Sequence, residues 1–265
     1  MELLNIIVLA IVQGITEFLP VSSSGHLILV PKFTGWADQG LTTDVMVHVG
    51  SLFAIMVYFW KDVMRLIKGG IELLMGKWTD ESRLASYIIV GSLPIIVIGI
   101  TLEKLNVLEN LRTFEVIGWT AIVYGTLLFV TDRYGLRIRF LGDMRMNPAI
   151  IIGFAQALAL IPGTSRSGIT TTAARALGYD RADALRFSFL LGMPAIAGAG
   201  IYKSYQVYSA GQTIPATDLY AAGLTFFSAI LTMMFMMKLV KHFSFLPYVI
   251  YRWVLGCFLL YLAYS

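Results

Sequence analysis

The sequence predicts an all-α polytopic membrane protein: six transmembrane helices plus two re-entrant helical hairpins in an inverted-topology repeat, all within a single membrane domain, 1–265. Three observations lead there. Of 265 residues, 57% are hydrophobic and 14% charged, with a mean hydropathy of +0.75; soluble domains carry roughly 25% charged residues. Six apolar runs are each long enough to cross about 30 Å of hydrocarbon as a helix. Two further apolar segments are interrupted at their centres by patterns that resemble each other. A soluble fold of this composition would have too little polar surface to cover its core, whereas lipid solvates an apolar outer face.

In chain order, a broken segment at 3–34 precedes spans at 41–60, 84–102 and 113–131, and a second at 148–177 precedes spans at 184–205, 217–238 and 246–264. Each broken segment holds Pro, Gly and several Ser or Thr at its middle. Neither half of either one spans comfortably, so both read as hairpins: a short helix in, a polar turn at depth, a short helix out. Non-helical backbone at that depth must be buried in protein or line a wet cavity. With Gln13-Gly-Ile-Thr-Glu17-Phe-Leu-Pro20-Val-Ser22-Ser23-Ser24-Gly25 set above Gln156-Ala-Leu-Ala-Leu-Ile-Pro162-Gly-Thr-Ser165-Arg166-Ser167-Gly168, Gln, Ser, Ser and Gly coincide at a constant offset of 143. Repeat 1 is then about 1–135 and repeat 2 about 148–265. Three spans per repeat is an odd number, so the copies are inverted and their polar tips meet. This design puts binding sites at broken helices in the repeat interface.

The net charge of +4 does not point to nucleic acid. Lys61, Arg65, Lys68, Lys77 and Arg83 follow the first span, and Arg133, Arg137, Arg139 and Arg145 follow the third. Arg175, Arg181 and Arg186 lead into the fourth, and Lys238 and Lys241 follow the fifth. The alternate loops hold only Lys32, Lys104, Arg112 and Lys203. The basic set is therefore expected on the cytoplasmic side. Cys257 is the single cysteine, which excludes a disulfide framework and a cysteine-based metal site.

Charges at membrane depth are costly, roughly 2.5–3.5 kcal/mol each on insertion scales. Glu17, His26 and Arg166 all fall within or beside the two breaks, which points to a shared purpose: binding an anion. Ser22, Ser23 and Ser24 precede Gly25 and one half-helix, while Ser165 and Ser167 precede Gly168 and another. Ser caps helix N-termini and Gly allows close backbone approach. Two such termini offer free N–H groups and positive dipole ends to phosphate, and Arg166 adds a planar donor fork. Thr170, Thr171 and Thr172 read as bonds between helices. Gln13 and Glu17 share one helix face. Glu17 can hold Mg²⁺ or Ca²⁺ bridging diphosphate oxygens, or act as a general base; the residues leave both open. A Ser23–His26 pair, three apart, can form an activated nucleophile. His48 is expected near the site or in helix packing, and Arg252 is expected to snorkel to an interface.

The segments Gln13 to His26 and Pro162-Gly-Thr-Ser-Arg166-Ser-Gly168 resemble the two signatures of the bacterial undecaprenyl-diphosphate phosphatases, also called bacitracin-resistance proteins. The resemblance covers essentially the whole chain. It implies hydrolysis of undecaprenyl diphosphate to undecaprenyl phosphate and inorganic phosphate, recycling the carrier lipid for cell-wall synthesis. It further implies a multi-pass inner-membrane enzyme open to the periplasm and assisted by a divalent cation, with Glu17, Ser23, His26 and Arg166 at the catalytic positions. Gln13 stands where family members often have Glu, and a neutral amide is the weaker metal ligand. Expected partners are the polyprenyl diphosphate lipid and membrane lipids, with a homodimer left open. The rival class is a transporter or flippase of a polyprenyl phosphate lipid, because inverted repeats with broken helices also serve transport.

Overall fold

Proline, glycine and serine decide where the helices stop. The structure, a computed structural model, describes residues 3–211 and 213–265. Helix α1 (Leu3–Thr16) ends before the Pro20 turn, and α2 (Ser23–Thr34) restarts from Ser22, whose Oγ accepts from the Gly25 amide at 3.4 Å. Gly35, at φ 69°, closes α2. Then follow α3 (Gly40–Tyr58), α4 (Trp60–Leu74), α5 (Asp80–Lys104), the single turn α6 (Val107–Asn110) and α7 (Phe114–Tyr134). Thr79 and Ser82 form a reciprocal capping box at the start of α5. The second half repeats the plan: α8 (Met146–Ala157) runs into a 3₁₀ turn (Leu158–Leu160), and α9 (Arg166–Ala176) restarts from Ser165. Helices α10 (Arg181–Ser209), α11 (Ala216–Leu239) and α12 (Leu246–Tyr264) complete the chain.

Helices α3, α5, α7, α10, α11 and α12 are long and apolar enough to cross a membrane, and each overlaps an expected span. Trp119, Val123 and Leu127 on α7, Phe227 and Leu231 on α11, and Val254 and Phe258 on α12 are exposed. Such faces are stable only against lipid, and the chain is a multi-pass membrane protein. Phe18, Ile55, Phe59, Phe187, Phe189, Leu190 and Met233 fill the main core, with Phe18 edge-on to Phe189 at 5.4 Å.

Glycines let the short helices approach the long ones. A Cβ at Gly14 would lie 2.8 Å from the Thr225 carbonyl of α11, and one at Gly153 would lie 2.3 Å from the Gly91 carbonyl of α5. Helix α1 therefore lies against α11, as α8 lies against α5.

Two expectations need correction. The stretch after the first span is not a loop, since α4 occupies Trp60–Leu74. Its exposed Met64, Ile67, Ile71 and Leu74 recur at helical spacing, while Asp62 on the other side is buried. A span-length search cannot find a 15-residue amphipathic helix. The arginines leading into the fourth span are also not free loop charges. Arg181 pairs with buried Asp132 at 2.5 and 2.8 Å, and Arg186 with buried Asp62 at 2.9 and 2.5 Å. Arg175 is fully buried, donating to the carbonyls of Leu136, Gly135 and Tyr179.

Candidate active site

The two breaks have one backbone shape. Ser22 adopts φ 76°, ψ 95° and Ser165 adopts φ 71°, ψ 114°. Non-glycine residues rarely occupy positive φ, and strain there clusters at functional turns. Each Ser caps the Gly three residues on, at 3.4 Å in the first turn and 3.2 Å in the second. Each also lies 3.3 Å from the hydroxyl of the Ser two residues on. The offset of 143 thus relates equivalent atoms as well as letters.

At that offset Ser23 corresponds to Arg166, and Glu17 to Leu160. Both first-turn side chains, Ser23 and Arg166, reach the same carboxylate. Ser23 Oγ donates to Glu17 Oε2 at 2.5 Å, and Arg166 Nη2 donates to Glu17 Oε1 at 2.9 Å. Gln13 Nε2 donates to Glu17 Oε2 at 3.0 Å and to Ser51 Oγ at 3.4 Å. Glu17 is 7% exposed, so its charge needs these donors: a buried carboxylate is stable only when paired and hydrogen-bonded. Gln13 and Glu17 share the α1 face because they are four residues apart.

His26 lies beside this cluster with both nitrogens occupied. Nδ1 is 2.6 Å from the Ser22 carbonyl oxygen, and Nε2 is 2.5 Å from Tyr251 Oη. A carbonyl only accepts, so Nδ1 carries a proton, and Nε2 shares the second bond with the Tyr251 hydroxyl, which can donate or accept. The rings also stack, with centroids 5.7 Å apart. Ser23 is therefore bonded to Glu17 and not to His26, although the three-residue spacing allowed either.

The second turn is sealed. Ser165, Ser167 and Gly168 are buried. Ser167 Oγ donates to the Leu19 carbonyl at 3.1 Å, joining the two breaks. These residues hold the turn that aims Arg166, whereas Ser23, Ser24 and His26 keep exposed surface. Thr170 donates to the Arg166 carbonyl at 2.7 Å and lies 2.6 Å from Ser188 Oγ of α10. The expected interhelical bonding holds for Thr170 alone: Thr171 Oγ1 has no partner among the described residues, and Thr172 donates to the Gly168 carbonyl within α9.

Arg252 does not snorkel. It is 1% exposed and donates to five carbonyls: Pro20, Thr120, Ala121, Gly163 and Thr164. It clamps both turns from behind, because its place on α12 faces the protein and not lipid. The signal was the cost of an arginine within an apolar run. Tyr251, Ser51 and Gly192 carried no such signal. Gly192 on α10 is the floor beneath Arg166, where a Cβ would lie 1.3 Å from Arg166 Nη1. His48 donates within its own helix to the Asp44 carbonyl at 2.7 Å, one turn before Ser51.

Two acceptor and donor atoms remain open at the centre. Gln13 Oε1 and Arg166 Nη1 are buried without a partner among the described residues. An unpaired guanidinium N–H and an unpaired amide oxygen beside one carboxylate are what an oxyanion and a hard cation would respectively use.

Fold and site together define a multi-pass membrane protein whose polar centre lies between two broken helices. The family model described as Bacitracin resistance protein BacA matches residues 6–258, and the chain belongs to that family. It is 46% identical over 283 residues to the undecaprenyl-diphosphatase of Erythrobacter litoralis (strain HTCC2594), covering 98% of this chain and 99% of that protein. It is 45% identical over 267 residues to the undecaprenyl-diphosphatase of Jannaschia sp. (strain CCS1), covering both chains fully. The undecaprenyl-diphosphatase of Teredinibacter turnerae (strain ATCC 39867 / T7901) is 46% identical over 264 residues, with 98% of each chain covered.

Proposed function

We infer that this protein is an undecaprenyl-diphosphate phosphatase, releasing the terminal phosphate and leaving undecaprenyl phosphate. The observation that carries the mechanism is the Ser23–Glu17 contact at 2.5 Å, with Arg166 on the other carboxylate oxygen. Ser23 Oγ attacks the terminal phosphorus while its proton passes to Glu17. The bond from that phosphorus to the bridging oxygen breaks, and the lipid monophosphate leaves. Water then hydrolyses the phosphoserine, returning a proton to Ser23 and releasing inorganic phosphate. Arg166, whose buried Nη1 lacks a partner among the described residues, turns that donor to the transferring oxygens, where fixed donors act most strongly in a water-poor site. Amides at the start of α2 face the same charge. His26, steadied by Tyr251, borders the exposed side of Ser23 and orients the diphosphate.

A divalent cation fits the residues present. No group of three His, Cys, Asp or Glu side chains converges among the described residues, so the protein would supply few ligands. Glu17 and the unpartnered Gln13 Oε1 would hold Mg²⁺ or Ca²⁺, with diphosphate oxygens completing the shell, as hard cations permit. When bound, the cation would neutralise charge on the diphosphate.

The hairpins are re-entrant and the repeats inverted in this reading. Parallel packing of α1 on α11 and of α8 on α5 supports hairpins that enter from opposite faces, with the basic end cytoplasmic and the Ser23 side open to the periplasm. An apolar groove of about 280 Å³ between α5 and α10, lined by Ile96, Ile100, Leu160 and Ala195, suits the polyprenyl tail. Ala195 lies one helical turn beyond Gly192. A carrier of polyprenyl phosphate would have no use for the Ser23–Glu17 contact.

The test is phosphate release from undecaprenyl diphosphate by the purified protein, with and without EDTA. Ser23→Ala and Arg166→Ala are each expected to lower kcat by about 10²–10³ or more. Near-normal turnover in either variant, with folded protein, rules out the role given to that residue.

A further inference from the structure

The basic end of the molecule holds a cavity of about 660 Å³ that shares no residue with the site around Glu17. It lies between the α3–α4 junction, the first turns of α10 and the end of α11. Its floor is the ion pair of Asp62 with Arg186, closed by two bonds of 2.9 and 2.5 Å. That pair cancels its own charge. Above it stand Lys61, Lys238 and Lys241, all exposed, and none makes a salt bridge to a carboxylate among the described residues. Three uncompensated ammonium groups around one concavity attract an anion.

Apart from His242, the remaining wall is apolar and continuous with the lipid-facing surface. Met234 is 53% exposed and follows exposed Phe227 and Leu231 along α11. Trp60, 58% exposed, faces out at the head of α4, with Lys61 Nζ 5.7 Å from its ring centroid. Helix α4 turns Met64, Ile67, Ile71 and Leu74 outward on one side. A helix with one apolar face and one charged face lies in the plane of the membrane surface, and Trp concentrates at that level. The cavity therefore opens at headgroup depth, with cations inside and hydrocarbon-compatible side chains at its lip.

We propose that this cavity is a binding site for the phosphate headgroup of an anionic lipid in the leaflet at the basic end. The three lysines hold the phosphate and the acyl chains run along Met234 and Trp60. Free phosphate offers the same charge but no use for the apolar lip. The site is independent of the phosphatase chemistry, since no residue of the catalytic cluster lines it.

The experiment uses the full chain in detergent, titrated with phosphatidic acid, phosphatidylcholine or inorganic phosphate and read by native mass spectrometry. Wild-type protein is expected to retain phosphatidic acid in preference to phosphatidylcholine. Lys61→Ala/Lys238→Ala/Lys241→Ala is expected to weaken phosphatidic acid binding by roughly fivefold per lysine. Lys68→Ala/Lys77→Ala/Arg133→Ala removes equal charge from the same end outside the cavity and is expected to bind as wild type. Turnover near wild type in the cavity variant checks its fold, and Lys241→Glu alone, in the α11–α12 loop, serves if the triple variant does not fold. Undiminished phosphatidic acid binding in the cavity variant overturns the proposal, as does equal loss in both triple variants. Displacement of phosphatidic acid by equimolar inorganic phosphate overturns the lipid assignment.

Discussion

At the scale of single residues, the site is one carboxylate shared by three donors, and two neighbours control its geometry without touching substrate. Gly192 leaves room for Arg166, because a methyl group there would lie 1.3 Å from Nη1. Ala is normally the better helix former, so Gly192→Ala would stabilise α10 if packing were indifferent. It is instead expected to lower kcat by about 10²-fold, the effect of displacing a catalytic group by an ångström; steady-state phosphate release measures it, and unchanged kcat would remove Gly192 from the positioning role. Gln13 donates to Glu17 Oε2 at 3.0 Å. Gln13→Glu replaces a donor with a second negative charge, and a hydrogen bond to a charged group is worth roughly 1.5–3 kcal/mol. The unfolding temperature of that variant is expected to fall in EDTA and recover with Mg²⁺ or Ca²⁺. Equal melting in both buffers would separate Gln13 from any cation. Glu17, Ser23, His26 and Arg166 are conspicuous in the sequence because charged or nucleophilic groups inside apolar segments stand out. Tyr251 and Gly192 blend into theirs, since a tyrosine or glycine in a membrane helix costs little and signals nothing.

At the scale of elements, two capped half-helices are held tip to tip by an arginine from a third helix. Arg252 donates to the Pro20, Gly163 and Thr164 carbonyls of the two turns, acceptors that non-helical backbone leaves without ladder partners, and to the Thr120 and Ala121 carbonyls of α7. Arg252→Ala leaves the three turn carbonyls without this donor, and is expected to cost on the order of 4 kcal/mol or more. Thermal unfolding in detergent measures this, with Arg252→Lys intermediate because three donors on one nitrogen cannot span the same carbonyls. A variant melting like wild type would show that the turns are held by other contacts. The six spans were legible because a long apolar run has one stable form in lipid. Helix α4 was not, because its length and mixed charge match an interfacial helix as well as a loop.

At the scale of the whole molecule, the proposed orientation has a direct test. Cys257 is the single cysteine, so Cys257→Ser gives a clean background. In intact cells a membrane-impermeant maleimide is expected to label Ala37→Cys, between α2 and α3, and to spare Lys77→Cys, between α4 and α5. The reverse pattern would invert the orientation and turn the Ser23 side inward. The sequence by itself determined the class of protein, the number of long apolar helices, the two related breaks and the polar residues that gather at them. Those follow from local rules: apolar length, charge asymmetry, and the cost of polar groups in hydrocarbon. Only the tertiary structure decided that Ser23 meets Glu17 and not His26, and that Arg166 crosses from the second break to the first. It likewise decided that Arg252 faces inward. The first depends on the shape of the Pro20 turn, which folds residues six apart onto each other; the other two join residues 149 and 232 apart, through helix faces brought together by close-packed glycines that no local pattern encodes.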